Sequence, residues 1–293
     1  MSKKANIEGL YTALEEAAGL LDTACSRERM WPVLTAFQDV IGAVVFNTVA
    51  GDSLSFDFTT PLSDGDPYER ALAHGLVEEI DHPVRALFAD LRAHMPLQGY
   101  GVDYAVTGIF NKAYALFPMN RRQELASLAD IASMPPGLAE HMGTFAAHGL
   151  DGKISAIAVD YASRTWNVYF NGLSAQHVER GALRALLADF GMPDPSEELL
   201  AFAEGSAALY PTFGWDSAKI DRVSFSRRTT DPVQLPAHVE PSLDKLARNA
   251  PYTYDGERIM VYAGVLAPDR EYYKLATYHH LASAALDRVR SRN

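Results

Sequence analysis

Apolar and polar residues alternate at period two in five places along this chain, and each place holds two such runs around turn chemistry. Residues 43–49 and 54–59 flank Ala50-Gly51-Asp52-Ser53. Residues 100–106 and 110–117 flank Thr107-Gly108. Residues 154–161 and 165–170 flank Ala162-Ser163-Arg164. Residues 208–213 and 220–226 flank Gly214-Trp215-Asp216-Ser217. Residues 258–266 and 272–278 flank Ala267-Pro268-Asp269-Arg270, the last run reading equally as the start of a helix. Each pair is a β-hairpin candidate. Between the hairpins the apolar spacing changes to that of helices, over 67–92, 121–132, 136–148, 175–190, 196–204 and 236–249, with Ser174 and Asp194-Pro195 as start signals. At the front of the chain Ile7, Leu10, Leu14 and Leu21 share one helical face, which predicts a helix over 7–24.

The hairpins recur about every 50 residues, a spacing that marks a structural repeat. The repeat is α-β-β-α. About ten antiparallel strands in one sheet curl and close, and the helices then cover the outer face. The fold class is α/β: a ten-stranded antiparallel β-barrel wrapped by helices. No Gly- or Ser-rich linker interrupts residues 1–293, so one domain is expected.

Composition narrows the functions. The 293 residues are 48% hydrophobic and 22% charged, which supports a full core, and carry a formal net charge of −11. Such a chain lacks the cationic surface that nucleic acid or anionic lipid requires. A basic pocket inside an acidic protein remains compatible with a small anionic ligand. Cys25 is the one cysteine, which rules out an internal disulfide and reads as a small buried residue on a helix. The N-terminus has no signal-peptide pattern and no run of about 18 apolar residues occurs, so a cytoplasmic protein is expected.

The strands carry residues unsuited to a packed barrel interior. Lys112 and Tyr114 share a face, as do Asn167 and Tyr169, Arg222 and Ser224, and Tyr272, Lys274 and Tyr278; Tyr210 lies on the fourth hairpin. Any one Lys is most simply a solvated residue. Helices outside, however, push strand polar residues toward the lumen, and cations converging there need an anion. A diphosphate fits, and Tyr π-faces beside it suit an allylic cation. Phosphate-loop, zinc-protease, nucleophile-elbow and dinucleotide motifs are absent, and so is an Asp-rich D-D-x-x-D run. Asp64-Gly65-Asp66 reads as the start of a helix at Pro67. His279-His280, adjacent on a strand, face opposite ways and make a poor joint metal site.

These residues resemble the soluble bacterial aromatic prenyltransferases of the ABBA fold, the naphterpin type. The likeness covers nearly the whole chain and includes Glu15-Glu16-Ala17-Ala18-Gly19-Leu20-Leu21, Gly65-Asp66-Pro67-Tyr68, Ser133-Met134-Pro135-Pro136, Tyr210-Pro211-Thr212, Lys219-Ile220-Asp221-Arg222 and Glu271-Tyr272-Tyr273-Lys274-Leu275. The resemblance implies a PT barrel with both substrates in its lumen. It implies that Lys112, Arg222 and Lys274 bind the diphosphate, helped by Asn167, Tyr210 and Asn47, the last standing where the family has serine. Tyr114, Tyr169, Tyr210 and Tyr278 become the catalytic tyrosines, Tyr114 beside the prenyl chain and Tyr169 and Tyr278 walling the acceptor. Val45 falls in the acceptor pocket, and Ser155, Ala156, Ala207, Ala208 and Ala285 make that pocket roomier and less polar than is usual. Asp57, with Thr59 on the same face, matches the family's magnesium position, although some relatives work without metal. Ser163 replaces a family lysine.

The expected activity is transfer of a geranyl or dimethylallyl group from its diphosphate to an electron-rich ring, such as a hydroxynaphthalene or phenazine, in secondary metabolism. The expected mechanism is electrophilic aromatic substitution by a monomer. A prenyl diphosphate cyclase or hydrolase, and a carrier of hydrophobic anions, are the alternatives on the same barrel.

Overall fold

The alternating runs all become strands. A computed structural model describes residues 5–49, 53–232 and 241–281. Its strands are β1 (Val44–Val49), β2 (Ser53–Pro61), β3 (Gly99–Ala105), β4 (Phe110–Leu116), β5 (Ile154–Asp160), β6 (Thr165–Asn171), β7 (Ala208–Gly214), β8 (Ile220–Thr229), β9 (Met260–Leu266) and β10 (Glu271–His280). Every strand pairs antiparallel with its sequence neighbours, and β1 pairs with β10, so the ten close into a barrel. Closure leaves no free edge. The run that also read as a helix start is β10.

Ten helices surround the wall: α1 (Ile7–Leu20), α2 (Arg27–Phe37), α3 (Pro67–Ala73), α4 (Leu87–His94), α5 (Leu125–Ala129), α6 (Gly137–Ala147), α7 (Ala175–Val178), α8 (Arg180–Asp189), α9 (Glu197–Ala203) and α10 (Pro241–Asn249), counted among the described residues. The apolar core lies between wall and helices, not inside the barrel. Phe46, Phe56 and Phe58 on the outer face of β1 and β2 are fully buried. Phe37 of α2 meets Phe58 edge-on at 5.1 Å, and Trp166 stacks on Phe213 at 4.8 Å. Among the described residues, no helix is long and apolar enough to cross a membrane.

Several helix expectations need correction. The periodic reading passed over α2. Met30, Val33, Leu34 and Phe37 do form its buried stripe, but Pro32 inside it and a polar first turn mask the pattern. The 67–92 run is broken: α3 ends at Ala73, Gly75 takes φ +67°, and the chain is non-helical until Pro83. The 121–132 run is helical only in α5. The 7–24 helix stops at Leu20, and Cys25 sits half-buried in the connection to α2, not on a helix. Asp66 caps α3 as expected, its Oδ1 accepting from Tyr68 N–H at 2.8 Å. The cap of α9 is Ser196, two residues past Asp194. The turn at 50–52 and the beginning of the 236–249 helix lie outside the described residues.

One contact between wall and helix is set by a missing side chain. A Cβ on Gly264 of β9 would stand 2.7 Å from Leu199 Cδ1 and 2.8 Å from Phe202 Cδ1, both on α9. Gly264→Ala is therefore expected to destabilise the fold by about 1–3 kcal/mol, through displacement of α9. Denaturant unfolding monitored by circular dichroism checks it; an unchanged midpoint would show that α9 adapts freely.

Candidate active site

The inner face of the wall carries a band of charge that the buried outer face lacks. Register places Asp57 opposite Asp103, Asp103 opposite Lys112, and Lys112 opposite Asp160, so four adjacent strands contribute one charged band. On the other side of the barrel, Lys274 lies opposite Val49. Further along, Val45 pairs with Tyr278 and Ala156 with Tyr169. One end of the lumen is thus ionic and the other aromatic and small.

The lumen holds a cavity of about 390 Å³ lined by Val45, Asn47, Asp57, Asp103, Lys112, Tyr114, Ser155, Tyr169, Ala208, Tyr210, Lys274 and Tyr278, among others. Val49 also lines it and is 40% exposed, so the cavity opens at the hairpin-turn end. The structure thereby brings together most of the residues named from sequence. It also adds two carboxylates that sequence reasoning missed. Asp103 accepts from Ser55 Oγ at 3.0 Å and from Asn111 Nδ2 at 2.6 Å. Asp160 holds Lys112, Oδ2 to Nζ 3.4 Å, with both side chains largely buried. The signal was available: each is a charged residue at an inward, period-two position of an otherwise apolar strand.

The charges perturb one another. Burial, and then Lys112 and Arg222, pull the Lys274 ammonium down to about 7; Asp160 and Asp103 oppose the shift. Burial pushes the Asp57 carboxyl well up. Neighbouring Asp103 adds to this by charge and hydrogen bond, while Lys112 and Asn47 counter it. What exposure Asp57 and Lys274 retain is to the cavity that they line. Burial likewise pushes the Tyr114, Tyr169 and Tyr210 phenols up, so all three stay neutral at physiological pH. Their rings form a continuous wall: Tyr169 stacks on Tyr210 at 4.5 Å and meets Tyr114 at 6.0 Å. Lys112 Nζ stands 6.0 Å from the Tyr114 ring centre.

Some sequence-named residues lie elsewhere. Asn167 is buried, and its Nδ2 donates to Thr212 Oγ1 at 2.5 Å; it forms part of the packed wall rather than the cavity surface. Arg222 is not among the residues lining that cavity, but its charge reaches Lys274 and Tyr169, which are, and its Nε is buried and unpartnered. Ala207 is exposed, because neighbours on a strand alternate and Ala208 takes the inward position. Ser155 rather than Ala156 reaches the cavity, at a bulge in β5. Thr59 Oγ1 accepts from Ala43 N–H at 2.9 Å, a structural bond. Ser163 lies in the exposed β5–β6 turn. His279 is buried and stacks on Phe46 at 4.9 Å, while His280 is exposed, so the two face apart. Ala285 lies outside the described residues.

Residues 5–287 match the family described as "Aromatic prenyltransferase Orf2". The chain is 43% identical over 285 residues to flaviolin linalyltransferase of Streptomyces virginiae, covering 95% of this chain and 94% of the relative. It is 38% identical over 284 residues to 5,10-dihydrophenazine-1-carboxylate 9-dimethylallyltransferase of Streptomyces anulatus, covering 95% of each. It is 39% identical over 286 residues to the furaquinocin biosynthesis prenyltransferase of Streptomyces sp. (strain KO-3988), covering 96% of this chain and 92% of that one. A closed barrel whose lumen is ionic toward its mouth and lined with neutral phenols suits these relatives, and the chain belongs to the family of aromatic prenyltransferases.

Proposed function

We propose that this prenyltransferase moves a geranyl group from its diphosphate onto a hydroxylated naphthalene, with dimethylallyl diphosphate and phenazines as the next candidates. The observation that carries this reading is the division of the cavity. Lys112 and Lys274 stand toward its open end, and Ala208, Ala263 and Ala276 line it with small side chains, Ala263 opposite Lys274 and Ala276 between Lys274 and Tyr278. Small residues there leave room for a ten-carbon chain together with a fused ring. One relative is named for transfer of a linalyl group to flaviolin and another for transfer of a dimethylallyl group to a dihydrophenazine.

The reaction follows from that division. Lys112, Lys274 and Arg222 hold the diphosphate and stabilise the charge that grows on it as the allylic C–O bond breaks. The neutral rings of Tyr114, Tyr169 and Tyr210 face the allylic cation and stabilise it without capturing it. The enclosed lumen keeps water from quenching it. The acceptor ring supplies the electron pair for the new C–C bond. It then loses its ring proton to water or to the departing diphosphate, which restores aromaticity.

Magnesium fits the ionic end. Asp57 Oδ1 is buried without a partner beside the Asp103 carboxyl, and carboxylate oxygens suit this hard cation. Asp57 would hold the ion, which would supply further positive charge to the leaving diphosphate.

Mass spectrometry of enzyme incubated with geranyl diphosphate and a dihydroxynaphthalene, with and without magnesium, tests the reading. The expected product is the acceptor heavier by one geranyl unit. Product only from dimethylallyl diphosphate or only with phenazines would move the assignment to those substrates. Prenyl alcohol or terpene released at full rate without acceptor would replace it with hydrolysis or cyclisation.

A further inference from the structure

The donor is an anion that must enter a protein of formal net charge −11. Long-range attraction cannot bring it in, so a local route is required. The β9–β10 turn supplies one at the mouth. Ala267 N–H donates to Arg270 O at 2.9 Å and closes that turn, leaving Arg270 exposed at its end. Residues 270, 272 and 274 fall on one face of the strand. The Arg270 guanidinium lies 5.1 Å from the centre of the Tyr272 ring, and Lys274 Nζ lies 5.7 Å from the same ring. Glu271, between them in sequence, turns outward and accepts from Ser196 N–H at 2.7 Å, so its charge is directed away from the path. The β7–β8 turn beside it carries exposed Lys219, with its Asp216 bound by His82 at 2.9 Å, and the β5–β6 turn beyond carries exposed Arg164. Asp269, next to Arg270, is the exposed acid of the same turn.

We propose that Arg270 and Tyr272 form an outer anion station, where the diphosphate of the incoming donor rests before passing inward to Lys274 and by which inorganic pyrophosphate leaves. The two cations share one aromatic ring, which holds them in line and gives the diphosphate a cation on each side of its step. The proposal rests on the diphosphate site assigned above. Arg270 touches no reacting atom; it acts on capture of the donor.

The test is a charge series, R270K, R270Q and R270E, in the full-length enzyme. Donor kcat/KM and the affinity for inorganic pyrophosphate are measured at low and high ionic strength, with Lys274→Ala as the marker of the inner site. R270E is expected to lower donor kcat/KM by about 10–100-fold at low salt, R270Q by less, and R270K little. The differences should collapse at about 1 M salt, where screening acts within a few ångströms. A structural role would give neither the ordering by charge nor the collapse. Wild-type kcat/KM and wild-type salt dependence in R270E, with pyrophosphate binding lost in Lys274→Ala, overturns the outer station alone. Wild-type pyrophosphate affinity in Lys274→Ala overturns the inner site and the station with it.

Discussion

Arg222→Ala is expected to lower turnover by about 10²–10³-fold while the barrel becomes no less stable. Both halves of that expectation come from how Arg222 is held. It stands among like charges, close enough to help depress Lys274, and its Nε is buried without a hydrogen-bond partner. Such an arrangement costs stability in the unliganded protein and is repaid when a diphosphate arrives. Removal should relieve repulsion in the free enzyme and remove stabilisation from the charge that develops on the leaving group. Lys112→Ala makes the informative contrast. Lys112 is paired to Asp160 at 3.4 Å in a largely buried setting, so its loss strands a carboxylate. A similar fall in turnover should there come with a drop in stability, about 3–5 kcal/mol if the stranded carboxylate stays charged. Turnover assays and denaturant unfolding on both variants separate the cases. Near-normal turnover in Arg222→Ala would remove it from the diphosphate site.

The inward residues were legible because a closed barrel makes period two absolute: what does not face the helices faces the lumen. Lys112 with Tyr114, and Lys274 with Tyr278, could be paired by counting alone, and the register agrees. The same rule shows why Ala207 and Ala208 do not both line the cavity, an alternation the family likeness had obscured. Ser155 escapes the count because the bulge in β5 shifts it inward, and a bulge leaves no mark in Ile154-Ser155-Ala156-Ile157. Asp103 and Asp160 were missed for another reason. Attention to cations asks where the anionic substrate sits, and passes over the carboxylates that hold those cations before it arrives. Helices were less legible than strands. The sheath packs on the wall through short segments, so α2 with its internal proline and the interrupted run from α3 to α4 carry too few turns for a clear period.

Donor affinity is expected to fall about tenfold for each pH unit above 7, through the loss of one proton from Lys274. Burial together with Lys112 and Arg222 brings this ammonium down to about 7, from 10.5 in an unstructured chain. The free enzyme therefore holds it about half charged at neutrality. A bound diphosphate reverses the field around it and restores the charged form, so binding above pH 7 takes up a proton. The affinity then carries the cost of that protonation, about 1.4 kcal/mol per unit. Below pH 7 the lysine is charged in both states and contributes no slope. The unliganded fold responds in the opposite sense. Between 7 and 10.5 the unfolded chain binds the proton and the folded chain does not, so this lysine makes the fold more stable as pH rises. Lys274→Met keeps the volume and removes the titration. The ligand's own titration is common to both proteins and cancels in the comparison. Calorimetry of donor-analogue binding from pH 6 to 9, in buffers of different ionisation enthalpy, reads the affinity and the proton uptake together. A slope shared equally by wild type and Lys274→Met would place the titrating group elsewhere in the lumen, with Asp57 the first to examine.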